Sequence, residues 1–138
     1  MNTGNIGRLS LASGSKLHLV KPFGFEITDA RLKRAGLDYW QHLSPFIYEN
    51  IEEFYAKNKH KKMVYFSSHG NKDYWSVPFK EDLFLVFGKE SKGLPAKMVE
   101  ENQDSVFKIP IYSEHVRSLN LANAVSVVVY EGIRHFKL

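Results

Sequence analysis

At 138 residues, with 43% hydrophobic and 14% aromatic residues, the chain is the size of one domain that can bury a core. The absence of cysteine excludes a disulfide framework, a thiolate zinc site and a cysteine nucleophile; no apolar run approaches the roughly 20 residues of a membrane helix, and the polar N-terminus lacks a signal-peptide core, so the cytoplasm is the expected compartment. The net charge of +4 and pI of about 9.2 are compatible with an anionic partner, nucleic acid above all, although the excess is modest.

The chain opens with NTGNIGR, residues 2–8, where Asn and Gly suit a tight turn. A short helix is expected over residues 6–13, with Arg8 one or two turns into it; an N-terminal cap with an exposed Arg is the plainer reading. Residues 17–20 (LHLV) read as a strand. A helix is expected over residues 29–36, capped by Thr28 or Asp29 and stopped by Gly36. Arg31, Lys33 and Arg34 form a basic patch next to Tyr39 and Trp40. Interleaved cations and rings suit phosphates and stacked bases, and suit an amphipathic helix equally. A further helix is expected over residues 48–58, followed by the basic run Lys57, Lys59, His60, Lys61 and Lys62. That run reads as a solvated helix end, with RNA contact as the alternative.

Residues 63–67 (MVYFS), 83–87 (LFLVF) and 106–111 (VFKIPI) read as three more strands. They are apolar without strict alternation, as strands covered on both faces are. Gly88 to Gly93 (GKESKG) follows the second of them and leads to a helix over residues 94–102, with Pro95 in its first turn. The two glycines permit close backbone approach to a ligand, or simply set an ordinary turn. The pattern is neither a Walker loop nor GxGxxG.

The last helix is expected over residues 119–136. Its VSVVVY run has strand propensity, but length and caps favour helix, and so apolar a helix needs burial in the core or against another subunit. Ser118 is the expected N-cap. Asn120 and Asn123 are poor formers of an apolar helix, so they either satisfy backbone groups at its start or bind something at its mouth. The six histidines show no metal-ligand spacing. Strands alternating with helices imply an α/β fold with a parallel sheet, in which ligands gather at the carboxyl ends of the strands.

In this order, NTGNIGR, LVFGKESKGLP and IPI with RSLNLANAVSVVVYE resemble the three motifs of the SpoU (TrmH-like) branch of the SPOUT RNA methyltransferases. The stretch LHLVKPFGFEITDARLKRAGLDYW is similar to the TrmL-like (YibK-like) members, and the resemblance covers nearly the whole chain. It implies a single SPOUT domain over residues 1–138, a parallel sheet with flanking helices and a C-terminal trefoil knot. It implies S-adenosylmethionine, held mainly by backbone groups of Phe66, Gly88, Ile109 and Ser118, and no metal. The implied reaction is 2′-O-methylation of a tRNA ribose, at the wobble nucleotide 34 (cytidine or uridine). Another tRNA or rRNA ribose, or a catalytically impaired knot dimer that binds RNA or cofactor, is the alternative. By motif position the catalytic set is Asn2, Arg8, Glu90, Ser118 and Asn120, with Arg8 as electrostatic stabiliser and Glu90 holding Arg8 or an amide. RNA contacts fall to Arg31, Arg34 and Tyr130. A cytoplasmic homodimer packed through the C-terminal helix is expected, with no membrane partner. Family members carry a strand before NTGN; with the chain starting at Met1-Asn2, that first strand is expected to be missing and a sheet edge exposed.

Overall fold

The computed structural model describes residues 2–22, 38–90 and 92–137. They fall into two compact units, within residues 1–60 and 61–138. The fold is α/β, and all its strand pairs are parallel among the described residues.

The first unit holds α1 (Asn2–Ser13), β1 (His18–Val20), a 3-10 turn at Asp38–His42, β2 (Phe46–Tyr48) and α2 (Ile51–Lys57). NTGNIGR is thus helical from Asn2 onward, not a turn that leads into a helix. Gly7 has a packing reason: a Cβ there would lie 2.6 Å from Cζ3 of Trp40 and 2.9 Å from Cδ2 of Leu43. Trp40 and Leu43 are the buried centre of this unit, with Leu17, Leu19 and Tyr39 packed on them. The sequence left Trp40 open between a ring for stacked bases and a packing residue; burial assigns it to the core.

β1 and β2 pair with His18 opposite Phe46 and Val20 opposite Tyr48. The expected helix from residue 48 therefore starts three residues late. Tyr48 belongs to β2, and Asn50 caps α2 by accepting the Glu53 backbone N–H on Oδ1 at 2.8 Å. The helix expected over residues 29–36 lies outside the described residues.

The second unit is a four-stranded sheet of β3 (Met63–Phe66), β4 (Lys72–Asp73), β5 (Phe84–Phe87) and β6 (Val106–Lys108), in the order β4-β6-β3-β5. Phe66 stands opposite Phe87 on one side and Phe107 on the other. β6 stops at Lys108, short of the expected residue 111, because Pro110 has no N–H to continue a ladder. α3 (Ala96–Glu101) and α4 (Leu121–Phe136) complete the unit.

Val64, Phe66, Val77 and Phe107 form the core with Val128 of α4, which is fully buried at 0% exposure. This contact overrides the strand propensity of VSVVVY. α4 presents Ala122, Val125, Val128 and Gly132 inward, and a Cβ on Gly132 would meet Cδ1 of Phe79 at 2.8 Å. Its opposite face leaves Val127 and Tyr130 in solvent. No helix is long and apolar enough to cross a membrane among the described residues.

Candidate functional site

The parallel register sets β3, β5 and β6 side by side with their carboxyl ends at one edge. Phe66 closes β3, Gly88 follows the last residue of β5, and Ile109 follows the last residue of β6. Three of the four residues expected to hold a cofactor thus share that edge. Beneath it the packing is apolar: the Phe66 and Phe87 rings stack at 4.8 Å between centroids with 13° between planes, and Ile109 packs on the same core.

The loop after β5 is shaped by its glycines. A Cβ on Gly88 would fall 2.0 Å from the Gly93 carbonyl carbon and 2.2 Å from the Leu94 nitrogen. The close approach that Gly88 permits is therefore that of the loop's own backbone. Gly93 adopts φ of +66°, donates its N–H to the Lys89 carbonyl at 2.7 Å and faces open space where a side chain would be.

Glu90, exposed in this loop, accepts a hydrogen bond from Nδ2 of Asn120 at 3.2 Å. The Oδ1 of the same amide accepts the backbone N–H groups of Ala122 at 3.0 Å and Asn123 at 3.4 Å. Asn120 is therefore the N-cap of α4, and Ser118 is not: Ser118 sits two residues earlier in an exposed bend. Capping, which the sequence assigned to Ser118, accounts for Asn120, while the Asn123 side chain stays exposed. Glu90 thus contacts a side-chain amide, that of Asn120. Tyr130 lies ten residues further along α4, 49% exposed.

In the first unit, Arg8 is exposed on α1. The Tyr39 hydroxyl donates to the Gly4 carbonyl and so ties the 3-10 turn to the start of α1. Burial raises the Tyr39 phenol above its ordinary value, and the Arg8 charge opposes that rise. Asn2 begins α1, but its side chain lies outside the described residues, as do Arg31 and Arg34.

Tyr39, which anchors the segment that carries Arg8, has no such role in the sequence pattern. Its signal there is an aromatic pair downstream of a Gly-containing helix, and that pair suits bases as well as a core. β2 is equally inconspicuous, because its FIY sits only three residues before the α2 pattern.

The sequence model of the SpoU rRNA methylase family matches residues 1–130. The chain is 42% identical over 134 residues to a tRNA (cytidine(34)-2'-O)-methyltransferase of Saccharophagus degradans, covering 96% of this chain and 86% of that one. A solved structure concerned with the 2-OH methylation of C/U34 on tRNA superposes with a TM-score of 0.89 at 38% identity, covering 99% of this chain and 88% of that one. An AdoMet-bound rRNA methyltransferase of Sinorhizobium meliloti gives a TM-score of 0.83 at 26% identity, covering 98% of this chain and 52% of that one. Since the matched stretch runs through every candidate residue from Asn2 to Tyr130, the chain belongs to the SpoU rRNA methylase family.

Proposed function

We propose that this chain transfers a methyl group from S-adenosylmethionine to the ribose 2′-oxygen of nucleotide 34, cytidine or uridine, of a tRNA. The observation that carries the proposal is the Glu90–Asn120 pair, which joins the loop after β5 to the end of the segment that follows β6. The names of the relatives supply the nucleotide and the atom.

The donor set at that edge fits the cofactor. Phe87 and Ile109, both half-buried beside that edge, offer apolar surface for an adenine ring. Backbone amides and carbonyls of Phe66, Gly88 and Ile109 there, with those of Ser118 on the loop after β6, offer donors and acceptors for the adenine edge and the amino-acid end. When bound, S-adenosylmethionine supplies a methyl group already activated by the positive charge on sulfur.

The rest falls to the chain, because a ribose hydroxyl is negligibly ionised near neutral pH. It must be oriented, and the charge that develops on its oxygen must be offset. Arg8 offsets that charge. Guanidinium stays protonated in proteins, so Arg8 acts as a fixed positive charge and not as a base. By motif position Asn2 is assigned to orienting Arg8, and Ser118 to orienting the ribose. Asn120 presents an N–H held in place by Glu90. Arg31, Arg34 and Tyr130 contact the RNA.

The same reading extends to the architecture. Residues 1–138 act as one SPOUT domain, and the segment between β6 and α4 is threaded as a trefoil knot. The exposed Val127 on α4 supports a homodimer seam along that helix, across which Tyr130 reaches the RNA. The protein works in the cytoplasm.

The test is mass spectrometry of tRNA nucleosides after incubation with the protein and S-adenosylmethionine. The expected product is 2′-O-methylcytidine or 2′-O-methyluridine at position 34. A methyl group on a different ribose, or none, overturns the proposal.

A further inference from the structure

We infer that Tyr112 is the platform on which an unpaired base adjoining nucleotide 34 stacks. This rests on the methyltransferase reading above and names a substrate contact for it.

After β6, residues 109–111 remain half-buried, and Ile109 packs on the core. Every residue from 112 to 120 is then exposed. Tyr112 is 88% exposed, and Val116 and Leu119 on the same loop also face water. A tyrosine ring carries one of the largest apolar surfaces a side chain can bury, and here almost none of it is used within the fold. Pro110, with φ fixed by its ring, sets the direction of the chain two residues before Tyr112. The ring therefore leaves the protein close to the carboxyl end of β6, on the loop that carries Ser118 and ends at Asn120.

The chemistry of the loop selects the occupant. Arg117 supplies a permanent cation three residues before Asn120, and the loop carries one carboxylate, Glu114. A flat exposed ring on a loop that also carries an arginine suits single-stranded RNA, whose bases stack on aromatic faces while phosphates meet Arg. The neighbours of nucleotide 34 are unpaired in an anticodon loop, so their faces are available. Tyrosine has two side-chain torsions to fix, which keeps the ordering cost low.

The test compares wild type, Tyr112→Ala and Tyr112→Phe on an anticodon stem-loop. Binding is read by fluorescence anisotropy, methyl transfer by label from S-adenosylmethionine, and cofactor affinity by calorimetry. Tyr112→Ala is expected to raise Kd and KM for the RNA about tenfold, equivalent to about 1.4 kcal/mol, with kcat and cofactor affinity unchanged. Tyr112→Phe is expected to match wild type. Equal RNA affinity in wild type and Tyr112→Ala overturns the platform, whether or not methyl is transferred. A loss of cofactor affinity in Tyr112→Ala overturns it in favour of the cofactor pocket, and a changed sedimentation coefficient overturns it in favour of contact between copies. Wild type that binds the stem-loop, with Tyr112→Ala binding it less tightly, but transfers no methyl group overturns the methyltransferase reading and leaves the platform standing.

Discussion

The indole of Trp40 fills the space that a side chain on Gly7 would need, with Cζ3 only 2.6 Å from the position of the missing Cβ. Trp40 is a buried ring, so it has little room to retreat. On an exposed helix Gly→Ala would stabilise by up to about 1 kcal/mol. Here Gly7→Ala is expected to destabilise by about 1–3 kcal/mol. The check is a denaturant double-mutant cycle with Trp40→Leu. The pair should be less destabilised than the sum of the singles, and strict additivity would sink the packing account.

Asn120 serves two structures with one amide. Asn120→Ala is expected to lose the α4 cap, at about 1 kcal/mol, together with the Glu90 contact. Asn120→Asp keeps a capping oxygen but sets a carboxylate against Glu90. Methyl transfer should fall in both variants, while thermal melts should show a clear loss only for Ala. Wild-type turnover in Asn120→Asp would remove the pair from the site.

Arg8 is exposed, so its truncation should change stability by less than about 0.5 kcal/mol. Arg8→Ala is nevertheless expected to abolish methyl transfer, with cofactor affinity by calorimetry nearly intact. Retained turnover would dismiss the electrostatic role.

The two glycines of the loop after β5 predict different losses. Gly88→Ala places a methyl group 2.0 Å from the Gly93 backbone and should abolish cofactor binding by deforming the loop. Gly93→Ala faces open space and carries only the cost of a left-handed φ, roughly 1–2 kcal/mol. Calorimetric titration of both variants should rank them in that order, and the reverse order would refute the loop geometry.

Burial, reinforced by the Lys16 charge, lowers the His18 imidazole below its ordinary value of 6.5. The folded chain then binds this proton less readily than the unfolded chain. Its contribution to stability is complete above about pH 6.5 and is lost as pH falls through the lowered folded-state value. The denaturation midpoint should drop between pH 7.5 and 5.5, and drop less in His18→Gln. Equal drops would assign the acid sensitivity to other groups. His18 lies 2.8 Å from the Tyr48 hydroxyl through Nδ1, so the effect should centre on β1 and β2.

Elements with a tertiary reason visible in their own residues were legible in the sequence. The strands over MVYF and FLVF and the long helix behind VSVVVY fall within a residue or two of expectation. Boundaries failed where one side chain decides. Ser118 looked like the cap, yet Asn120 reaches the free N–H groups, and only coordinates separate two good capping residues two positions apart. Trp40 stayed open between a base-stacking ring and a packing residue because a sequence does not record that Gly7 leaves a slot for it. The motif residues gave the candidate site by resemblance. The Glu90–Asn120 bond spans 30 residues, a separation that no local pattern encodes.

That bond also fixes the sign of what Asn120 offers. Its oxygen is committed to two N–H groups of α4, so turning the amide over would leave them without a partner and aim an oxygen at the Glu90 carboxylate. The residue is locked as a donor. Any group that meets its amide must bring a lone pair, as a ribose oxygen does, and a ligand that presents a hydrogen there is turned away.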